Sequence, residues 1–450
     1  MSKSHNKNAI LDSDNIFELL MKLSFPMMVG SLMEALYNTV DSIFVGHYVG
    51  SEAIAALTVN NPIQMLQVAV GAMMSVGTGV LISQALGAKN YQMVNIVLIY
   101  GLSLSFGLSL ILSWSMLFFL DQMLLFLGSA QSFLSHTRDY AGIILWTGFV
   151  PSVNALMSGV LRAKGLANLS MILISAGALI NIGLDALFII RFCWGVKGAA
   201  VATVLSQIVV LGLSFYFMFK NYAIKSSDFR HASLDRSLIS QIIMVGLPTG
   251  LRLGTFSLMS FVANRALQSY GTVPLAAYGI VNRIVNLAFM PIFGCNLGVQ
   301  PIISFNFGAK RYDRIVKALT VSISVSTVIA LIGSIVFVLA PAGLFQMFTN
   351  DLQTIDYSRR ASRIMGSLFF LFGCQMIIVG MMQSTGHPKA ALFLSVSRPL
   401  VHIIGFLALP MWFGLKGIWM TLPIADFINF TLAVIMLRIQ LPLLRAKLQK

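Results

Sequence analysis

The 450-residue chain is 57% apolar and only 10% charged, against roughly 45–50% and 25% in ordinary soluble domains. That balance excludes a protein whose main solvent is water. A hydrocarbon core about 30 Å thick needs roughly 20 apolar residues per helix, so there is room for about a dozen crossings and none for a large soluble domain. Thirty Lys and Arg against 15 Asp and Glu give a net charge of +15, and only the placement of these cations tells whether they mean nucleic acid or membrane topology.

In chain order, the first 15 residues, MSKSHNKNAILDSDN, are polar, lack the apolar core of a signal peptide and read as a short cytosolic lead. Apolar runs bounded by Gly, Pro or charge clusters then predict spans near 24–45, 54–83, 94–119, 140–161, 169–190 and 197–219, and again near 240–268, 275–305, 318–340, 362–384, 390–412 and 416–437. The expected fold class is therefore an all-α membrane protein of twelve transmembrane helices, with both termini on one side. That side holds 19 of the 30 cations, including Lys310, Arg311, Arg314 and Lys317, whereas the opposite loops hold seven. Cationic loops are retained in the cytoplasm, so both termini are expected there, in a bacterial inner membrane. The positive charge is topological and implies the lipid bilayer, not nucleic acid, as partner. Cys193, Cys295 and Cys374 lie in apolar stretches without metal spacing and read as packing residues.

The second six spans repeat the first at a shift of about 221. Ser24-Phe25-Pro26 answers Gly246-Leu247-Pro248, Gly77 answers Gly298, and Gly87-Ala88-Lys89 answers Gly308-Ala309-Lys310. Gly165 matches Gly386, and Gly195 with Gly198 matches Gly414 with Gly417. With six spans each, both halves enter the membrane in the same direction, which predicts two six-helix lobes related by a pseudo-twofold axis along the membrane normal. The division expected is 1–219 for the first lobe, 220–239 for a polar cytoplasmic linker and 240–450 for the second lobe and tail.

Four acids fall within spans: Glu34, Asp41, Asp185 and Asp426. An ionised carboxylate at the bilayer centre costs at least about 2.5–3.5 kcal/mol, so such residues face protein or a wet cavity and invite a functional reading. Neither Asp41 nor Asp185 recurs in the second half, which places the acid-bearing site in the first. Spans 1 and 5 run outward and carry Asp41 and Asp185 to similar depth. Asn181 shares the Asp185 face four residues earlier, and Thr203 stands at the same outer level on span 6. Two carboxylates, an amide and a hydroxyl converge in this reading, with Tyr140 and Asn154 of span 4 in the same polar network. The site could hold a proton or surround a hard cation such as Na+, and the residues leave both open. Glu34, two turns before Asp41, is the candidate for binding a cationic substrate, against the plainer reading of a buried hydrogen-bond partner. Asp426 beside Pro423 reads equally as local backbone repair.

Arg252, Arg265, Arg283 and Arg398 also lie in spans, where pairing with an acid, binding carbonyls or snorkelling is the ordinary structural role. His402 reads as a hydrogen-bonded core histidine. No phosphate-binding loop, metalloprotease helix or nucleophile and base pair is discernible. The chain is therefore not expected to be an enzyme or to need a cofactor, and an ion gradient is the remaining common energy source.

The stretches LSFPMMVGSLMEALYNTVDSIFVGHYVGSEAIAALTVNNP (23–62), GTGVLISQALGAKN (77–90), LRAKGLAN (161–168), NIGLDALFI (181–189) and GVKGAAVATVLSQ (195–207) resemble, in order and over nearly the whole chain, the multidrug and toxic compound extrusion (MATE) transporters, particularly their prokaryotic DNA-damage-inducible-F-like branch. The resemblance implies two six-helix lobes that alternate between outward and inward states and export organic cations or amphiphiles in exchange for H+ and/or Na+. It carries over to Asp41 as the acid of the first helix, Asn181 and Asp185 as the Asn-x3-Asp element, Thr203 as the hydroxyl of the sixth helix and, by looser correspondence, Tyr140 and Asn154. Acids of a second-lobe cation site known in another branch have no counterpart here. The expected function is thus an antiporter, acting as a monomer on small cationic or amphiphilic molecules. A lipid or glycolipid flippase of the same superfamily is the alternative that the arginines keep open.

Overall fold

The computed structural model describes residues 10–127, 134–221, 235–339 and 342–449, and every regular element among them is helical. In chain order these are α1 (Ile16–Tyr48), α2 (Ser51–Gly87), α3 (Tyr91–Phe118), α4 (Leu120–Phe126), α5 (Leu134–Trp146), α6 (Phe149–Ala163), α7 (Ala167–Asp185) and α8 (Gly195–Asn221). The second half holds α9 (Arg236–Gln268), α10 (Thr272–Gly308), α11 (Tyr312–Leu339), α12 (Ala342–Gln346), α13 (Leu352–Met365), α14 (Phe370–Ser384), α15 (Pro388–Phe413) and α16 (Leu415–Gln449). Backbone groups in hydrocarbon must be satisfied within the segment, which is why apolar composition at this length produces helices.

Ten of the described helices are long and apolar enough to cross a membrane, and two bent pairs, α5 with α6 and α13 with α14, bring the number to twelve. The expected fold class holds. The fourth and tenth spans are not single helices, however, but are bent by 50° and 52°. At the first bend the Val150 and Gly148 amides reach back only three residues, to Thr147 and Leu145, just before Pro151, which has no amide proton to give. At the second, Phe369 and Leu371 likewise bond to Gly366 and Leu368. Both bends are turns of tighter helix.

The repeat is written into the backbone. Lys89 and Lys310 both sit at φ 58°, a left-handed conformation rare for a residue with a Cβ. Each ends a helix through the same closing bonds, Asn90 N–H to Ala85 O and Arg311 N–H to Asn306 O, both 2.9 Å. Gly165 and Gly386 (φ 76° and 78°), Gly195 and Gly414 (58° and 54°), and Gly50 and Gly271 (118° and 96°) are further matched pairs.

The chain forms two compact units. One holds Val29–Leu253 with the described residues up to Ser13; the other holds Asp14–Met28 and the described chain from Gly254 onward. The division therefore runs within α1 and α9. Of the linker expected at 220–239, residues 222–234 lie outside the described residues. Two glycines account for the crossing of α1 and α9. In the first unit a Cβ on Gly77 of α2 would lie against the backbone of Ile242 in α9, and in the second a Cβ on Gly298 of α10 would lie against the backbone of Ser24 in α1. Cys193, expected as a packing residue, is exposed in the turn after α7, at φ 55°, whereas Cys295 is buried. The apolar reading around Cys193 failed because Phe192 and Trp194 flank it as exposed aromatic residues of the same turn.

Candidate functional site

Asp41 lies two turns before the end of α1 and Asp185 is the last residue of α7. Both are buried, with relative exposures of 8% and 0%, and they stand within electrostatic reach of each other. α7 does not stop at Asp185 but widens into a π-helix over Ala186–Arg191, a rare geometry that is frequent at functional sites. Gly198 at the start of α8 packs directly on the Phe188 backbone of that wide turn, and this close approach brings Thr203 alongside α7.

Asn181 joins the two helices. In the orientation that satisfies both neighbours, its Nδ2 donates to Asp185 Oδ2 at 3.2 Å and its Oδ1 accepts from the Thr203 backbone N–H at 3.3 Å; with the amide turned, Nδ2 lies 3.4 Å from Thr203 Oγ1. Only the first orientation gives Asp185 a donor, whereas both keep the amide on Thr203. One oxygen of each acid, Oδ1 of Asp41 and Oδ1 of Asp185, is buried with no hydrogen-bond donor among the described residues. Buried carboxylate oxygens are normally satisfied, so these two stand out as the atoms of the cluster that lack a partner among the described residues.

Tyr140 of α5 is buried, accepts from Gln64 Nε2 of α2 at 3.0 Å, and stands within electrostatic reach of Asp41 and Asp185. Its surroundings are sealed by Val45, Ala53, Ile144, Ile189, Val196 and Ala200, where α1 gives way to α2 and α7 to α8. Asn154 is placed differently. Its Nδ2 donates to the Gln207 carbonyl at 2.8 Å, one turn beyond Thr203 on α8, and it makes no bond to either acid. The structure thus brings together Asp41, Asn181, Asp185, Thr203 and Tyr140, and leaves Asn154 at the neighbouring contact of α6 with α8. The oxygens assembled are carboxylate, amide and hydroxyl, a hard donor set that fits H+ or Na+ chemically.

A family model described as MatE matches residues 26–187 and 248–406. The chain belongs to the MatE family. Among its relatives, the multidrug export protein MepA of Staphylococcus haemolyticus is 30% identical over 426 residues, covering 94% of this chain and 93% of that one. MepA of Staphylococcus aureus is 28% identical over 413 residues, 91% of each chain. A solved outward-facing multidrug resistance MATE transporter of the MOP superfamily superimposes with a TM-score of 0.92 at 26% identity over 99% of both chains. A MOP superfamily transporter from Pyrococcus furiosus, whose pocket is described as of reverse polarity, gives the same score and identity over 99% of this chain and 100% of that one. This MatE chain is a multi-pass membrane transporter, not an enzyme.

Three residues in or beside this candidate site escaped the sequence reading. Tyr37 stands within electrostatic reach of Glu34, Asp41 and Asp185, and its spacing of four residues before Asp41 and three after Glu34 was the available signal. Gln64 supports Tyr140 from the middle of α2. Arg162, counted as a loop cation, is buried on the last turn of α6, donating to Ser158 Oγ at 2.6 Å and Ser75 Oγ at 3.0 Å within electrostatic reach of Glu34. Glu34 itself is exposed and is not enclosed with the two aspartates.

Proposed function

We propose that this chain is a multidrug efflux antiporter that exports small cationic or amphiphilic molecules across the bacterial inner membrane in exchange for H+ or Na+. The observation that carries the reading is the pair of donorless carboxylate oxygens on Asp41 and Asp185 within one unit. Such a pair is tolerable in the membrane only when an ion shares it. Relatives named as multidrug exporters support the substrate class.

In this account Asp41 and Asp185 take the coupling ion, Asn181 and Thr203 hold Asp185 in place, and Tyr140 bounds the site from α5. Occupancy changes the charge between α1 and α7. α1 carries Pro26 in its interior, which removes one backbone bond and lets the helix bend. If ion and substrate favour different packings of α1, the differential affinity couples their movements, as alternating access requires. Glu34, accessible on the same helix, offers its carboxylate to a cationic substrate. The termini lie in the cytoplasm, and each monomer is a complete transporter.

The test is dye transport in proteoliposomes under pH and Na+ gradients imposed separately. Export driven by one or both is the expected result, and dye movement indifferent to both gradients would overturn the reading.

A further inference from the structure

The second unit holds a buried polar cluster that the ion site does not use. Arg398 on α15 donates from Nε to Asp426 Oδ1 of α16 at 2.8 Å, and Asp426 is 2% exposed. Gln375 Nε2 of α14 also reaches Asp426 Oδ1, at 3.4 Å. Gln375 Oε1 accepts from Asn429 Nδ2, and Asn429 Oδ1 from Ser397 Oγ, each at 2.6 Å. The aspartate is thus held from two neighbouring helices, α14 and α15, and it holds the guanidinium by one edge only. Under the guanidinium lies the ring of Phe372, 4.7 Å from Cζ to centroid, which attracts and braces it. Among the described residues no group accepts from the two terminal nitrogens of Arg398.

The position of Arg398 tells where those nitrogens point. Leu400, Ile404, Leu407 and Met411 form an exposed apolar stripe along α15, from 51% to 82% accessible, with the composition of a lipid-facing side. Arg398 lies on the other side of the helix, three residues after Ser395 and four before His402, both buried. Its side chain is nevertheless 24% accessible. That accessible part belongs to the face of the helix turned away from the apolar stripe, about ten residues, or 15 Å, from the start of α15 at 1.5 Å per residue, which is near mid-membrane.

A planar fork with unused donors, braced against a ring, is suited to a carboxylate. Asp426 already balances the charge of Arg398, so a net anion would bring uncompensated charge into the membrane. A zwitterion brings its own cation. We propose that Arg398, braced by Asp426 and Phe372, binds the carboxylate of zwitterionic aromatic amphiphiles, so that the second unit recognises the anionic end of such substrates. The inference rests on the export reading only for the kind of solute that arrives.

Rhodamine 110 and rhodamine 123 test it, because they differ only in that the first is the free carboxylic acid and the second its methyl ester. Fluorescence anisotropy on the full-length protein in phosphatidylcholine nanodiscs, without any gradient, gives both affinities. The wild type is expected to prefer rhodamine 110, and Arg398→Gln with Asp426→Asn, which leaves no buried charge unpaired, to lose about tenfold affinity for it while rhodamine 123 changes by less than about twofold. Arg398→Lys, which keeps charge but not the fork, is expected to lose most of the preference. Absence of a preference in the wild type, or equal changes for the two dyes in the variants, overturns the inference and leaves the export reading intact. Binding of neither dye counts against both. A preference that is present in phosphatidylcholine but erased by phosphatidylglycerol assigns the fork to a lipid phosphate and overturns the substrate role.

Discussion

Asn181 and Asp185 stand one turn apart on α7, and the amide of the first donates to the carboxylate of the second at 3.2 Å while accepting from the backbone of Thr203 on α8. One side chain therefore fixes both the direction of Asp185 and the contact between two helices. Asn181→Leu takes away the only donor that Asp185 Oδ2 has among the described residues, and a buried group left unsatisfied costs about 1–3 kcal/mol. Gradient-driven dye transport by this variant in proteoliposomes is expected to fall about tenfold or more. Wild-type rates would remove Asn181 from the site.

The crossing points at Gly77 and Gly298 are where α2 meets α9 and α10 meets α1 without room for a methyl group. Gly77→Ala and Gly298→Ala each force a backbone to shift, and overpacking of this kind costs about 1–3 kcal/mol. Thermal unfolding in detergent is expected to show a lowered Tm for both variants. Gly212→Ala, where a Cβ meets nothing within 4 Å, serves as the neutral reference.

The Arg398 and Asp426 pair predicts an asymmetry in stability. Arg398→Met alone strands a buried aspartate and is expected to cost about 3–5 kcal/mol, whereas Arg398→Met with Asp426→Leu recovers most of that loss. Unfolding of the single and double variants in the same detergent measures the difference, and equal losses would show that the pair is not coupled.

Outside the membrane, Asp351 caps α13 by accepting from the backbone of Gln353 at 3.3 Å and of Thr354 at 3.0 Å. The Thr354 hydroxyl and these amides hold its carboxyl below the ordinary carboxylate range. A depressed value means that the cap contributes fully above the unfolded pKa, about 3.9, and is lost as pH falls through the folded one. Exchange of the Gln353 and Thr354 amides, corrected for intrinsic rate, is expected to accelerate only below about pH 4, and Asp351→Asn, a neutral cap, to abolish that pH dependence.

Much of this was legible in the sequence for identifiable reasons. Apolar length forces helices in hydrocarbon, so the twelve spans could be counted from composition. The repeat could be read because Lys89 and Lys310, or Gly165 and Gly386, occupy matched backbone conformations at helix ends, where chain geometry restricts the residue. Asp41, Asn181 and Asp185 could be grouped because depth and helix period are both counted along the chain. What was not legible depends on which helices touch. The fourth and tenth spans bend through tightened turns that hydropathy does not register. The early part of α1 packs against α10 through Gly298, a contact between residues far apart in sequence. Asn154 was expected in the same polar network, but its bond goes to the Gln207 carbonyl, and no periodicity reveals a backbone partner on another helix. Asp426 could be seen as an unusual acid, but its partner Arg398 lies on a different helix.

The most direct measurement is dye transport by Asp41→Asn and Asp185→Asn in sealed proteoliposomes carrying a pH or Na+ gradient, together with dye binding and unfolding temperature. The account predicts that each amide variant folds and binds dye as the wild type does, yet moves it no faster with the gradient than without. Transport that stays gradient-driven at the wild-type rate in both variants would contradict the coupling role of the two aspartates.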